Sequence, residues 1–247
     1  MQKPNSTIRD ASALVFASFF PLVMAVLYFV VLPNTDGEKS SALGFAFGFG
    51  KSIQFLFPIV FVWWFARDQV AFAPPTWRGV PLGVGFALLV GIGMFTLYFA
   101  LVKDIPAVAI DTPRQIHAKV KEFGANTVVG YVILALVISV VHSLAEEYYW
   151  RWFVFGWINK HMPMAWAILL SSIGFMLHHI VILGVYFPGH FWTLALPFSI
   201  CVAVGGGVWA WIYARCGSLY APWISHCLID AAIMGVGYVM LADLLGR

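Results

Sequence analysis

Seven apolar stretches follow one another along the chain: residues 11–32, 42–66, 80–102, 127 to about 158, 164–187, 191–214 and 218–245. Each is long enough for a helix to cross a bilayer, which takes about 20 residues. Inside hydrocarbon every backbone N–H and C=O must find a partner in the protein itself, so only helices and closed barrels span it. Runs of this length select the helix. The expected fold class is therefore all-α: a polytopic transmembrane helical bundle of about seven spans, or eight if one long run breaks in two. Charge supports this, since 10% of residues are charged against about 25% in soluble domains. A soluble domain could not cover its surface with so few polar groups. Residues 1–247 are read as one integral membrane domain.

The first run could be mistaken for a signal peptide, but it exceeds the roughly 7 to 15 apolar residues of an h-region and no small-x-small site follows. It is read as a span. The net charge of +3 forms no basic tract, so nucleic acid is not an expected partner. Cys201, Cys216 and Cys227 make no CxxC pair and are read as buried apolar filler. Gly44/Gly48, Gly79/Gly83 and Gly205-Gly206-Gly207 are candidate sites of close helix packing. No internal repeat is visible, which weighs against an inverted-repeat transporter.

Residues 103–126 form the one long polar connection. Thr112-Pro113-Arg114-Gln115 reads as an N-cap, a proline at N1 and a capping-box glutamine, with Gly124 closing the C-terminus. Ile116, Val120 and Phe123 would share one face, leaving Arg114, Lys119 and Lys121 for lipid phosphates. This is an expected interfacial helix. With a cytoplasmic N-terminus the inside segments hold Lys3, Arg9, Arg67, Arg78, Arg151, Lys160 and Arg215. The outside segments hold Lys39, Lys103, Arg114, Lys119, Lys121 and Arg247. Setting aside the long connection, the bias favours a cytoplasmic N-terminus.

Five charged residues fall inside spans: Lys51, Glu146, Glu147, Arg151 and Asp230. Each costs at least about 2.5 to 3.5 kcal/mol at mid-bilayer on insertion scales, which makes it a functional candidate. His142, His178, His179 and His226 lie at comparable depth. On a helix Glu146 and Glu147 point about 100° apart. Arg151 stands four residues after Glu147 and neutralises it, so Glu146 is left without its own cation, one turn after His142. Such a carboxylate suits a general base for water. Phe175 and His179 share a face, as do His226 and Asp230, and Asp230 can accept a proton from His226 and hold its tautomer. One free carboxylate and two imidazoles on three helices can activate water directly or bind a metal that does. Both routes lead to hydrolysis. On bare chemistry His178 could replace His179.

Glu146-Glu147-x-x-x-Arg151, Phe175-x-x-x-His179 and His226-x-x-x-Asp230, in that order on separate helices, resemble the CPBP intramembrane proteases, the CAAX-protease and bacteriocin-processing (ABI) family. The lead-in Cys216 to His226 also resembles that family's last motif. The resemblance covers roughly residues 128–232, read as the catalytic helices. It implies a glutamic-type intramembrane endopeptidase without a cofactor, acting on a membrane-associated protein or peptide. Glu146 would activate water with help from His179, and Glu147 and Arg151 would shape the site alongside Phe175. His226 and Asp230 resemble the oxyanion pair. The family often carries asparagine at that last position, and an ionised aspartate has no proton to donate. Asp230 is therefore expected to orient His226, which does the oxyanion work. The less favoured metal route would place zinc on Glu146, His179 and His226. Eukaryotic members remove the last three residues of prenylated CAAX proteins, and bacterial relatives act on other targets. The aromatic residues fit interfacial belts and helix packing better than a prenyl pocket. The expected location is the inner (cell) membrane of a bacterium or archaeon.

Other classes make different demands. A noncatalytic scaffold or bacteriocin-immunity protein of the same fold needs none of this chemistry. A retinal protein needs a Schiff-base lysine in its last span, and residues 218–245 contain none.

Overall fold

The computed structural model describes residues 4–34, 37–65 and 73–245. Lys3, Arg67 and Arg247, used above to orient the chain, lie outside the described residues. Ten α-helices are used here: α1 (Pro4–Val26), α2 (Gly37–Phe65), α3 (Val80–Leu97), α4 (Thr112–Glu122), α5 (Val128–Leu136), α6 (Ser143–Glu147), α7 (Gly156–His161), α8 (Met164–Tyr186), α9 (Leu196–Cys216) and α10 (Tyr220–Leu241). No strand occurs among the described residues. Among the described residues seven helical runs are long and apolar enough to cross a membrane, and the protein is a multi-pass membrane bundle. Their outer faces carry the exposed apolar side chains that a bilayer requires, among them Trp64, Leu89 and Val129.

The fourth run, Val128–His161, is the longest. Thr127 caps its start, its hydroxyl accepting from the Gly130 N–H at 3.1 Å. Two π-helical segments, Val137–His142 and Tyr148–Phe155, flank α6. Such bulges inside a helix are frequent at functional sites, and the Glu146-Glu147 pair sits between these two. The second segment is the core of the molecule: Tyr149, Trp150, Phe153 and Phe155 are almost fully buried. The Tyr149 hydroxyl donates to the Ala17 carbonyl at 2.7 Å and Tyr148 to the Phe55 carbonyl at 3.1 Å. These bonds tie the fourth run to α1 and α2. Tyr131 donates to the Met234 carbonyl at 2.7 Å and Trp223 to the Val140 carbonyl at 3.0 Å, which fixes α10 along the same run. Helix α8 packs against α1 and α9, and α10 packs against α3 and α9.

The glycine expectations divide. A Cβ on Gly83 would stand 2.8 Å from the Ala221 carbonyl oxygen, and one on Gly206 would stand 3.2 Å from both Arg151 Nη2 and the Phe175 ring. Gly44 and Gly48 face open space, with nothing within 4 Å, so packing does not use them. Gly83→Ala should therefore cost about 1 to 3 kcal/mol as an overpacked contact against backbone. Thermal unfolding in detergent, with Gly44→Ala as the near-neutral control, checks this.

Helix α4 is present, but three of its details differ from expectation. Thr112 does not cap it. Its buried hydroxyl lies 2.7 Å from the Tyr186 carbonyl and 3.0 Å from that of Ala107, because helical backbone already begins at Ala107. The threonine ties α4 to the end of α8 instead. Ile116 and Val120 pack inward, whereas Phe123 is exposed. Lys119 pairs with Glu122 at 2.9 Å and lies 4.2 Å from the Tyr28 ring centre, so its charge is engaged within the protein. Arg114 and Lys121 are exposed. Gly124, in the left-handed region at φ 66°, ends the helix as expected. Cys201 is exposed rather than buried, while Cys216 and Cys227 are half-buried.

Candidate active site

Three spans deliver the site. Helix α6 supplies Glu146 and Glu147, α8 supplies His178 and His179, and α10 supplies His226 and Asp230. The adjacent glutamates point in different directions, as spacing required, and share His226, one through each ring nitrogen.

Glu146, 7% exposed, stands among three imidazoles. Its Oε1 lies 3.5 Å from His142 Nε2 and 3.5 Å from His178 Nε2, and its Oε2 lies 3.7 Å from His226 Nε2. These separations exceed a direct hydrogen bond, as catalytic contacts commonly do before substrate arrives. Glu147, fully buried, has one oxygen that serves two partners. Arg151 Nη1 approaches it at 3.2 Å and His226 Nδ1 at 2.8 Å. The arginine contact is an ion pair whose hydrogens are not aligned on the oxygen, since Nη1 lacks a hydrogen-bond partner. The guanidinium gains further support 4.6 Å from the Phe175 ring centre and 5.0 Å from that of Trp209, a cation–π arrangement. Gly206 leaves room for that approach.

The orientation of His226 departs from the expectation that Asp230 holds it. A carboxylate only accepts, so the short contact with Glu147 places a proton on His226 Nδ1. Asp230 lies 3.6 Å from the other nitrogen, Nε2. Glu147 therefore fixes the tautomer, and Asp230 stands beside the nitrogen that faces Glu146. An i,i+4 rule sees only partners on one helix, and it could not reveal a bond to a residue 79 positions away. Trp209 stacks on the same ring, with centres 4.0 Å apart and planes 19° apart. Its indole donates to Ser225 Oγ at 3.1 Å. Trp209 and Ser225 are thus site residues that the sequence reading missed.

Phe175 acts through its backbone as well as its ring. Its carbonyl accepts from His179 Nδ1 at 2.9 Å, and the two rings are 4.7 Å apart. The proton on Nδ1 leaves the Nε2 lone pair of neutral His179 free. His178 is also present at the site, 6% exposed and parallel to Trp150 at 5.8 Å. Glu146, His178 and His179 can each offer one ligand atom such that all three atoms lie within 4.8 Å of one another. His178 Nε2 is the nearer to the Glu146 carboxylate, at 3.5 Å, and a His179 ring nitrogen lies within 4.8 Å of it. One carboxylate and two imidazoles form a donor set suited to zinc, and the His178 Nδ1 atom is buried without a partner. The set named from sequence shares Glu146 and His179 with this group and has His226 in place of His178.

Comparison with known families adds a finding independent of these distances. Residues 128–232 match the family model described as type II CAAX prenyl endopeptidase Rce1-like. That match is consistent with the CPBP family. No curated protein and no solved structure matches the chain. The Rce1-like segment begins at the first residue of α5 and ends inside α10, so it contains every residue of the site described above. It supports assignment to the CAAX-protease type of peptidase.

Proposed function

We propose that the protein is an intramembrane endopeptidase that hydrolyses a peptide bond of a membrane-associated protein or peptide, with Glu146 as general base. The observation that carries this reading is a carboxylate inside a membrane span with three imidazole nitrogens within 3.7 Å. Water held between Glu146 and an α8 imidazole gives a proton to the carboxylate as its oxygen attacks the carbonyl carbon. The tetrahedral oxyanion is met by His226, whose Nε2 donates when it carries a proton. Glu146 then returns the proton to the leaving amine as the C–N bond breaks. Glu147 and Arg151 keep His226 in register, Phe175 does the same for His179, and Asp230 polarises the imidazole nitrogen that it faces.

In this reading the whole chain is one membrane domain, with residues 128–232 holding the catalytic helices and α4 lying at the bilayer surface. The protein sits in a bacterial or archaeal cell membrane with its N-terminus in the cytoplasm. No metal is required. If zinc occupied the Glu146, His178 and His179 atoms, it would supply Lewis-acid activation of the same water.

Two measurements test the reading. Peptidomes of membranes holding the wild-type protein should contain fragments that are absent without it. Identical peptidomes would return the noncatalytic scaffold or immunity protein. Purified enzyme should keep full activity after exhaustive chelation, with no stoichiometric metal by elemental analysis. Loss on chelation and recovery with zinc would overturn the metal-free mechanism.

A further inference from the structure

His178 belongs to none of the three motifs, yet it is 6% exposed in the middle of α8, beside the Glu146 carboxylate. Its ring is closely packed. Trp150 lies parallel to it, with centres 5.8 Å and planes 8° apart, and the Phe175 ring meets it at 74° with centres 5.5 Å apart. Trp150 itself sits close against α8 because residue 174 is glycine, and a Cβ there would stand 2.9 Å from the indole. A ring packed in this way has little freedom to turn, so the surroundings of its two nitrogens decide what it does.

Nε2 lies 3.5 Å from Glu146 Oε1, and Nδ1 is buried with no hydrogen-bond partner among the described residues. A neutral imidazole carries one proton. On Nδ1 that proton would be an orphaned buried donor, which proteins rarely keep, and the Nε2 lone pair would face a carboxylate. On Nε2 it points at Oε1, and closing the gap by about 0.5 Å makes a charge-assisted hydrogen bond. His178 is therefore a donor. His179 is the reverse: its Nδ1 proton goes to the Phe175 carbonyl, and its remaining lone pair can only accept. Two adjacent imidazoles with centres 4.1 Å apart thus hold opposite tautomers.

We propose that His178 is a positioning residue for the general base: it donates from Nε2 to Glu146 Oε1 and so reserves Oε2 for the proton of the attacking water. This rests on the endopeptidase reading and deepens it. A carboxylate without a donor can present either oxygen to water, and a donor on one of them removes that choice. Oε2 is the oxygen on the His226 side, 3.7 Å from the Nε2 atom that meets the oxyanion. Water bound at Oε2 is thus next to the place where the oxyanion forms. His142 reaches the same Oε1 at 3.5 Å, but its side chain is 44% exposed, so its contact competes with partners outside the protein. The buried ring is the one that fixes the carboxylate.

The arrangement is read directly by solid-state NMR of the purified full-length protein in lipid nanodiscs, with isotope-labelled rings in its seven histidines. The signals of positions 178 and 179 are those lost in His178→Gln and His179→Gln proteins. His178 should carry its proton on Nε2 and His179 on Nδ1. Glu146→Gln should shift the His178 Nε2–H signal, because the negative charge that it faces is gone. A His178 proton on Nδ1, or a His178 signal that does not respond to Glu146→Gln, overturns the assignment. Activity on a peptide that the wild-type enzyme cleaves gives the second arm. His178→Met should lower kcat about 10- to 100-fold, the scale of one hydrogen bond to a charged group, with KM unchanged because the ring acts through Glu146. His178→Gln should recover most of that loss, since its amide donates where Nε2 did. No recovery in a glutamine variant that unfolds at the wild-type temperature overturns the positioning role, in favour of a ring that takes a proton itself. If the NMR signature is present but the wild-type protein cleaves no membrane peptide, the endopeptidase reading fails and the hydrogen bond to Glu146 stands.

Discussion

Glu146→Gln protein is expected to lose about 10²- to 10⁴-fold in kcat/KM on any peptide that the wild-type enzyme cleaves, the range attributed to a positioned general base. Glutamine keeps the size and one carbonyl oxygen of glutamate but cannot accept the proton of the attacking water. The three imidazoles around residue 146 would remain, so folding should change little and the thermal midpoint should stay near that of wild type. Activity measured beside thermal unfolding separates the chemistry from the scaffold. Wild-type turnover by the purified variant would sink the assignment of Glu146. His178→Ala and His179→Ala belong in the same experiment, because each ring has a nitrogen within 4.8 Å of this carboxylate. The ring that assists water should cost nearly as much as Glu146 itself, since groups acting as a unit are not additive.

Arg151→Met should be the most destabilising change in the site, by about 3 to 5 kcal/mol. Arg151 and Glu147 are 2% and 0% exposed, and removing the guanidinium leaves a buried carboxylate with only His226 as its partner. Methionine fills the volume and packs against Phe175 and Trp209, so the loss would come from charge rather than from a cavity. The double variant Arg151→Met/Glu147→Gln tests that account, because replacing a whole buried pair is often nearly neutral where breaking it is not. Recovery of most of the lost thermal stability in the double variant is the expected outcome. A double variant no more stable than the single one would mean that Arg151 acts by packing. The double variant should still be catalytically poor, because glutamine at 147 no longer fixes the tautomer of His226.

The sequence made the spans legible because a bilayer filters residues by length and polarity, and both can be read without coordinates. It also exposed Glu146, Glu147, Arg151 and Asp230, since charge in a span is rare enough to stand out. What it could not show depends on contacts between helices. His178 and His179 differ by about 100° on α8, yet each has a ring nitrogen within 4.8 Å of the Glu146 carboxylate. Asp230 was the natural partner of His226 within one helix, but a bond to Glu147 needs two helices placed side by side. Thr112 looked like a cap because Pro113 and Gln115 follow it with the spacing of a capped helix start, and the structure spends its hydroxyl on the Tyr186 carbonyl. Trp209 and Ser225 look like ordinary apolar and small residues in a chain already rich in them.

The π-helical segments on either side of the glutamates carry one further consequence, for how the chain tolerates change in length. A π turn takes in a residue that an α turn would leave out. A one-residue deletion within Tyr148–Phe155 would let the segment relax to the α register while Trp157 and all that follows keep their facing. The same deletion in a regular α-helical stretch would rotate everything beyond it by about 100°. The π segment is therefore the part of the fourth run where a change of one residue re-aims least of what lies beyond it.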